Sequence, residues 1–275
     1  MGEYMVIVVP VKQVPETSNV VLDPITGVMV RSSSKAILNP LDLYAIETAL
    51  QIKESRGAKV IAITMGPSSA IKVLKEAIAM GCDEGIHISD KAFAGADTWS
   101  TSYTLSSAIK KLGKIDLIIT GERATDGDTG QVGPEIASWL NLSVSTYTSH
   151  IQAIGEDSIT VKRLIEEGYQ TLILPFPCLL TVLKEIAFVR FATLKGKKRA
   201  MNSQIPVWGE KELDLDPSSL GLKGSPTKVV KVEPAKVGRT PIIIEAKEGE
   251  SVVTGVTSLV EYLRSNGMLS KESTV

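Results

Sequence analysis

The sequence predicts an α/β fold: an open, mostly parallel sheet with helices on both faces. Three observations lead there. Val6–Val11, Lys59–Met65 and the run Ile115, Leu117, Ile118, Ile119 are near-continuous apolar stretches of strand length, the pattern of strands covered on both sides. Segments with helical apolar spacing lie between them, and strands alternating with helices pair in parallel through right-handed crossovers. The loops after Val11, after Met65 and over 121–133 all follow strand ends. They therefore meet along one edge of the sheet, where open α/β sheets take ligands.

In chain order, Val6–Val11 runs into Lys12-Gln13-Val14-Pro15, where Lys12 reads either as a ligand contact or as a surface lysine at a loop start. Residues 19–38 are an excursion, with Asp23-Pro24 and Thr26-Gly27 as turn signals. Asn39-Pro40 opens a helix, with Asn as N-cap and Pro at the first helical position; Leu41, Ala45, Thr48, Ala49 and Ile52 give it one buried face. The strand Lys59–Met65 stops at Gly66-Pro67. Ser68 or Ser69 then caps a helix carrying Ile71, Leu74 and Ile78, which ends at Gly81. Gly85–Ser89 is a short strand, and Asp97 or Thr98 caps a helix through Tyr103, Leu105, Ile109 and Leu112.

The loop after the next strand carries glycines at 121, 127, 130 and 133, and a helix is expected to open at Pro134. Strand, glycine loop and helix aim free backbone N–H groups and a positive helix end at an anion, usually a phosphate. Glycines also make ordinary turns, so a plain connection fits this loop taken alone. There is no Gly-Lys-Ser/Thr and no Gly-x-Gly-x-x-Gly after the first strand, which excludes the Walker and dinucleotide fingerprints. The convergence of loops favours a nucleotide site of another kind. Asp126 and Asp128 would repel a diphosphate, so they are expected to bond loop N–H groups. That leaves Thr129 and the amides of Gln131, Val132 and Gly133 for the ligand.

After residue 140, Ser158–Leu164, Tyr169–Leu174 and Cys178–Leu183 read as strands with short connections, hence antiparallel additions. From Ile186 to Leu213 periodicity fades. Arg190-Phe191-Ala192-Thr193-Leu194-Lys195-Gly196-Lys197-Lys198-Arg199 reads as a protruding loop, about 186–205, either simply solvated or docking a partner with an acidic rim. Residues 1–213 would thus form the nucleotide-binding domain. Residues 214–275 would form an extended arm, with an apolar run at Pro241–Ile244 and a helix over Thr257–Asn266, that clasps another subunit.

At 275 residues, 43% hydrophobic and 22% charged, the chain is ordinary for a globular protein, and its net charge of −1 argues against nucleic-acid binding. Cys82 and Cys178 lack paired spacing, and His87 and His150 lack a metal-ligand pattern. The start lacks signal-peptide character, and the apolar segment Leu172–Leu183 is too short to span a bilayer. A cytoplasmic protein without membrane insertion is expected.

With these residues in view, the sequence resembles the beta (small) subunit of electron-transfer flavoproteins over nearly its whole length. The resemblance rests on Val9-Pro10-Val11-Lys12-Gln13-Val14-Pro15, Asn39-Pro40, Thr64-Met65-Gly66-Pro67 and Ala92-Phe93-Ala94-Gly95-Ala96-Asp97-Thr98. It rests also on Gly121-x-x-Ala124-x-Asp126-Gly127-Asp128-Thr129-x-Gln131-Val132-Gly133-Pro134-Glu135 and Arg190-x-Ala192-Thr193-Leu194. It implies an adenine-nucleotide α-hydrolase-like fold, an alpha-subunit partner holding the reactive FAD, and no covalent chemistry in this chain. By the same resemblance Pro10, Asn39, Met65, Gly66, Asp97, Thr98, Gly121 and the loop Asp126, Gly127, Asp128, Thr129, Gly130, Gln131, Val132, Gly133 line the nucleotide site. Leu194, with Lys195, Lys197, Lys198 and Arg199 around it, docks on a dehydrogenase or quinone-linked redox partner. The small residues of the loop resemble members that hold a second FAD and bifurcate electrons from NADH; the alternative is a structural AMP. A hydrolase or adenylating enzyme of this fold needs Ser-Gly-Gly-x-Asp-Ser after the first strand, where this chain has Pro10-Val11-Lys12-Gln13. A nucleotide sensor would not need the protruding loop and the arm.

Overall fold

The computed structural model describes residues 4–16, 36–230, 243 and 248–269. The excursion's turn signals and the run Pro241–Ile244, apart from Ile243, lie outside them. In chain order the elements are β1 (Val6–Pro10), β2 (Gln13–Pro15), β3 (Ala36–Leu38), α1 (Asp42–Arg56), β4 (Lys59–Met65), α2 (Ile71–Met80), β5 (Glu84–Ile88), α3 (Thr98–Lys111), β6 (Leu117–Gly121) and α4 (Val132–Leu140). There follow β7 (Ser143–Ile154), β8 (Ser158–Ile165), β9 (Gly168–Pro175), β10 (Cys178–Val182), α5 (Leu194–Asn202), β11 (Val207–Trp208), α6 (Glu210–Leu213), α7 (Gly221–Gly224) and α8 (Glu250–Ser265).

Nine strands form one sheet among the described residues, ordered β11-β5-β4-β1-β6-β10-β7-β8-β9; β2 and β3 pair separately and antiparallel. Only the β7–β8 and β8–β9 pairs of the large sheet are antiparallel. Alternate residues of β1 divide the core. Ile7 and Val9 pack with α1 and α2 residues such as Ile46, Ala49 and Leu74, whereas Val8 packs with Leu105, Ile109 and Ile136 of α3 and α4. β1, β4, β6 and β10 are covered on both faces, which is why they are apolar without alternation.

Strand order decides where a ligand can sit. From β1 the chain builds outward through β4 and β5, then crosses to β6 on the other side of β1. The carboxyl ends of β1 and β6 therefore diverge at a topological switch point, the place where open sheets open a crevice.

Three expectations are corrected. Cys178–Val182 is not an antiparallel addition: β10 inserts in parallel between β6 and β7, with every residue buried. Its non-alternating apolar sequence is the mark of such a strand, but the short links from β8 and β9 masked it. The segment 186–205 is not all loop, because Thr193 caps α5 by accepting from the Gly196 N–H. The helix of the glycine loop begins at Val132, two residues before Pro134.

The chain divides into two compact units, Met1–Val232 and Glu233–Val275. In the first, Leu213, Leu215 and Leu220 join the core that contains α3, and Asp97 receives hydrogen bonds from both the N–H and the hydroxyl of Thr227. The second is described from Glu248 to Leu269 and consists mainly of α8, whose Val253, Val256, Leu259 and Tyr262 are exposed.

Candidate nucleotide site and docking surface

The start of α1 and the end of β6 approach so closely that residue 121 must be glycine. A Cβ there would stand 2.6 Å from Asp42 Oδ1 and 2.9 Å from the Leu41 carbonyl carbon. Asp42 is 6% exposed, and burial raises its pKa to about 7, against hydrogen bonds from Lys12, Asn39 and Gly121 and the charge of Lys12. The Lys12 N–H donates to Oδ2 at 2.8 Å and Asn39 Nδ2 donates to Oδ1 at 2.9 Å. Asn39 is not the side-chain N-cap of α1. Its amide instead donates to the Arg123 carbonyl at 3.0 Å and accepts from the Thr125 N–H at 3.3 Å, tying the helix start to the glycine loop.

Within that loop the two acidic residues pair with cations, not with loop N–H groups as expected. Asp126 holds Lys12 Nζ at 2.7 Å and Asp128 holds Arg123 Nε at 3.1 Å. A charge partner in reach satisfies a carboxylate more strongly than a neutral amide. Asp128 at φ 57° and Gly130 at φ 63° turn the backbone through left-handed conformations. Among the hydrogen bonds of the described residues, none uses the N–H of Thr129, Gly130, Gln131, Val132 or Gly133. The buried Thr120 hydroxyl and Glu135 Oε2 at the same end of α4 also lack partners. A Cβ on Gly133 would meet Thr120 Oγ1 at 2.9 Å and Thr181 Cγ2 at 2.8 Å, so glycine lets the helix end sit on the sheet. Unpaired amides at a helix N-terminus are a donor set for a phosphate or diphosphate.

Thr98 joins this group, donating to Glu135 Oε1 at 3.0 Å with Gln131 Oε1 at 3.3 Å. Its neighbour Asp97 caps α3 through the Ser100 N–H and binds Thr227, so its carboxylate is engaged within the chain. Pro10 ends β1 at the same edge. Met65 and Gly66 end β4, one strand further from β6, and Gly66 gives its N–H to Ile88 and its carbonyl to His87 Nε2. Sequence reasoning missed Tyr147. It sits at φ 54° where the β10–β7 register shifts, it is 45% exposed, and its hydroxyl lies 3.8 Å from a Cβ built on Gly130. Nothing in Ser143–Ile154 signals a bulge beside the glycine loop.

The second cluster surrounds α5. Phe188, Phe191 and Leu194 are 99%, 97% and 86% exposed, and Lys195, Lys197 and Lys198 stand out beside them. Between the two phenylalanines, Arg190 turns inward. Its guanidinium reaches both oxygens of Glu47, at 2.7 and 2.9 Å, and both oxygens of Glu54, at 2.5 and 3.1 Å. Arg199 also turns inward, donating to the carbonyls of Ile78 and Cys82 at 2.6 and 2.9 Å, where α2 ends. Gly196 lies against that same end, where a Cβ would be 2.1 Å from the Ala79 carbonyl oxygen.

Among the described residues no His, Cys, Asp and Glu cluster could hold a metal ion, and no helix is long and apolar enough to cross a membrane. The class defined by fold and loop geometry is a doubly wound α/β protein whose ligand edge offers unbonded backbone donors. More particularly, the chain belongs to the electron transfer flavoprotein family and is of its beta-subunit type. The family's "Electron transfer flavoprotein domain" matches residues 26–212. The Caffeyl-CoA reductase-Etf complex subunit CarD of Acetobacterium woodii is 43% identical, covering 96% of this chain and 100% of its own. The electron transfer flavoprotein subunit beta of Clostridium acetobutylicum is 40% identical, over 94% of this chain and 98% of its own. The acryloyl-CoA reductase electron transfer subunit gamma of Anaerotignum propionicum is also 40% identical, over 94% and 98%.

Proposed function

We propose that this chain holds a second FAD beside the flavin of an alpha-subunit partner, in a cytoplasmic, NADH-oxidising electron carrier that splits electrons between two acceptors. The observation that carries the reading is the row of unbonded amides from Thr129 to Gly133, at the head of α4 and the switch point of the sheet. When bound, the flavin supplies the redox chemistry. The chain would hold the diphosphate through those amides and Thr129, while Lys12 and Arg123 offset the charge of Asp126 and Asp128. Gly127 has no atom within 4 Å of a built Cβ, which leaves space for a large ligand. Partner names among the relatives, caffeyl-CoA and acryloyl-CoA reductases, favour an acyl-CoA-type dehydrogenase, with ferredoxin or a quinone-linked acceptor receiving electrons.

Docking on the redox partner falls to Leu194, with Phe188 and Phe191 beside it. Lys195, Lys197 and Lys198 raise the encounter rate with an acidic rim more than the affinity. Arg199 supports the surface from within. The apolar side of α8 is assigned to the alpha subunit.

The test is release and chromatography of nucleotides from the chain co-purified with its alpha subunit. Two FAD per heterodimer are expected. One FAD with one AMP would make this a structural site in a single-flavin carrier, and no nucleotide from this chain would remove the site altogether. Gly127→Val should leave the melting temperature within a degree or two, roughly the effect of a neutral surface change. It should nevertheless abolish the second equivalent of FAD; unchanged flavin content would place the ligand elsewhere. Leu194→Ala should slow reduction by the partner dehydrogenase roughly tenfold, the loss of one apolar anchor. The effect should fall on KM, with flavin content unaltered.

A further inference from the structure

We infer that Asp42 is a positioning residue of the nucleotide site, a side chain that fixes the loop after β1, the start of α1 and the end of β6 relative to one another. The inference rests on the nucleotide reading above and goes beyond it, because Asp42 is not among the groups assigned to the ligand. Its carboxylate accepts from the Lys12 N–H at 2.8 Å and from Asn39 Nδ2 at 2.9 Å, and Gly121 lies against it so closely that a Cβ there would stand 2.6 Å from Oδ1. Asn39 passes the constraint onward, to the Arg123 carbonyl at 3.0 Å and the Thr125 N–H at 3.3 Å. Lys12 does the same through its ammonium, which holds Asp126 at 2.7 Å. Among the described residues, the side-chain bonds that tie the glycine loop to the start of α1 and to the loop after β1 run through Asn39 and Lys12, both bonded to Asp42.

Such a junction works only while the carboxyl is ionised. A carboxylate accepts from all its donors, but a protonated carboxyl turns one oxygen into an O–H that cannot accept the N–H it faces. The charged groups on the elements around Asp42 are Lys12 after β1 and Glu122, Arg123, Asp126 and Asp128 after β6, and the two cations pair with these acids. A bound diphosphate therefore acts on Asp42 across neutralised pairs, whereas the lost hydrogen bonds are direct contacts. The contacts dominate, so affinity should fall on acidification through neutrality.

A purely structural titration has the opposite sign. Burial raises Asp42 from 3.8 to about 7, so between these values the folded state binds more protons than the unfolded one. Its contribution to fold stability is highest below about pH 4 and declines as pH rises toward 7. Stability and affinity governed by the same group should move in opposite directions.

The experiment uses the heterodimer stripped of this chain's nucleotide, with FAD as probe because its diphosphate diester keeps one charge state across neutrality. The expected result is a roughly tenfold loss of affinity for the second FAD from about pH 8 to about pH 6, the worth of one hydrogen bond to a charged group. Asp42→Asn should hold the weak affinity throughout, with no inflection. Asn39→Ser, which removes a donor that lowers the Asp42 pKa, should move the inflection to higher pH; this variant and the wild-type curve decide the matter even if Asp42→Asn does not fold. Uptake of a second FAD with flat pH dependence, or an inflection that Asp42→Asn retains, overturns the role of Asp42 and leaves the site. No uptake at any pH overturns the second-flavin reading and this inference with it.

Discussion

Arg190→Ala is expected to destabilise the α/β unit by about 3 kcal/mol at pH 7, the lower end of the range for removing one partner of a buried ion pair. Glu47 is 3% exposed and its two oxygens are occupied by one guanidinium, so alanine leaves a buried carboxylate without its cation, held only by Gln51 Nε2 and the backbone N–H of residue 190, each at 3.2 Å. The lower end applies because the arginine side chain is itself 31% exposed and water can reach the gap. Burial alone would raise Glu47, but the hydrogen bonds and charge of Arg190 outweigh it and hold the carboxyl below its usual range. A depressed acid contributes stability above its unfolded pKa and loses it as pH falls through the folded one. The gap between wild type and variant should therefore be full at pH 7 and close as the pH falls below 4.5 through the lowered pKa of Glu47. Urea unfolding at the two pH values measures it; a pH-independent gap would mean that packing of the arginine stem carries the effect.

The second large effect concerns Gly121. Gly121→Ala should cost about 3 kcal/mol and remove the second nucleotide, because the new methyl meets a pinned carboxylate and a backbone carbonyl, neither of which can swing away. Gly127→Ala in the same loop should be neutral to folding, since its Cβ meets nothing within 4 Å. Melting temperature and bound nucleotide for the two variants, side by side, test the claim. If Gly121→Ala kept both, the close approach of α1 to β6 would be wrong.

Much of this was legible in the sequence. The runs at β1, β4 and β6 were readable because a strand covered on both faces needs no partner to declare itself; its composition is enough. The cap of α3, narrowed to Asp97 or Thr98 and taken by Asp97, and Gly81 as the stop of α2 were readable for the same reason, since capping acts within a few residues. The family was readable from motifs that lie within single segments. Errors gathered where a residue had two possible uses. Asn39 has the composition of an N-cap but spends its side chain on Arg123 and Thr125, more than eighty positions away. Asp126 and Asp128 could bond amides or cations, and the cations came from Lys12 and Arg123.

By itself, then, the sequence determined the apolar strands β1, β4 and β6 with the helices between them, the fold class and the kinship with electron-transfer flavoprotein beta subunits, because apolar periodicity and turn residues act over short stretches of chain, whereas β7 and α5 went unread. Tertiary structure alone decided that β10 lies between β6 and β7, that Tyr147 bends toward Gly130, that Arg190 and Arg199 bond back to the helices beneath them while their neighbours face out, and that Asp42 joins the loop after β1 to the start of α1 and the end of β6. Each of these depends on which groups meet across gaps of seventeen to more than one hundred residues. A charge or a hydrogen-bonding group takes the partner that the fold delivers, and local sequence does not specify that partner.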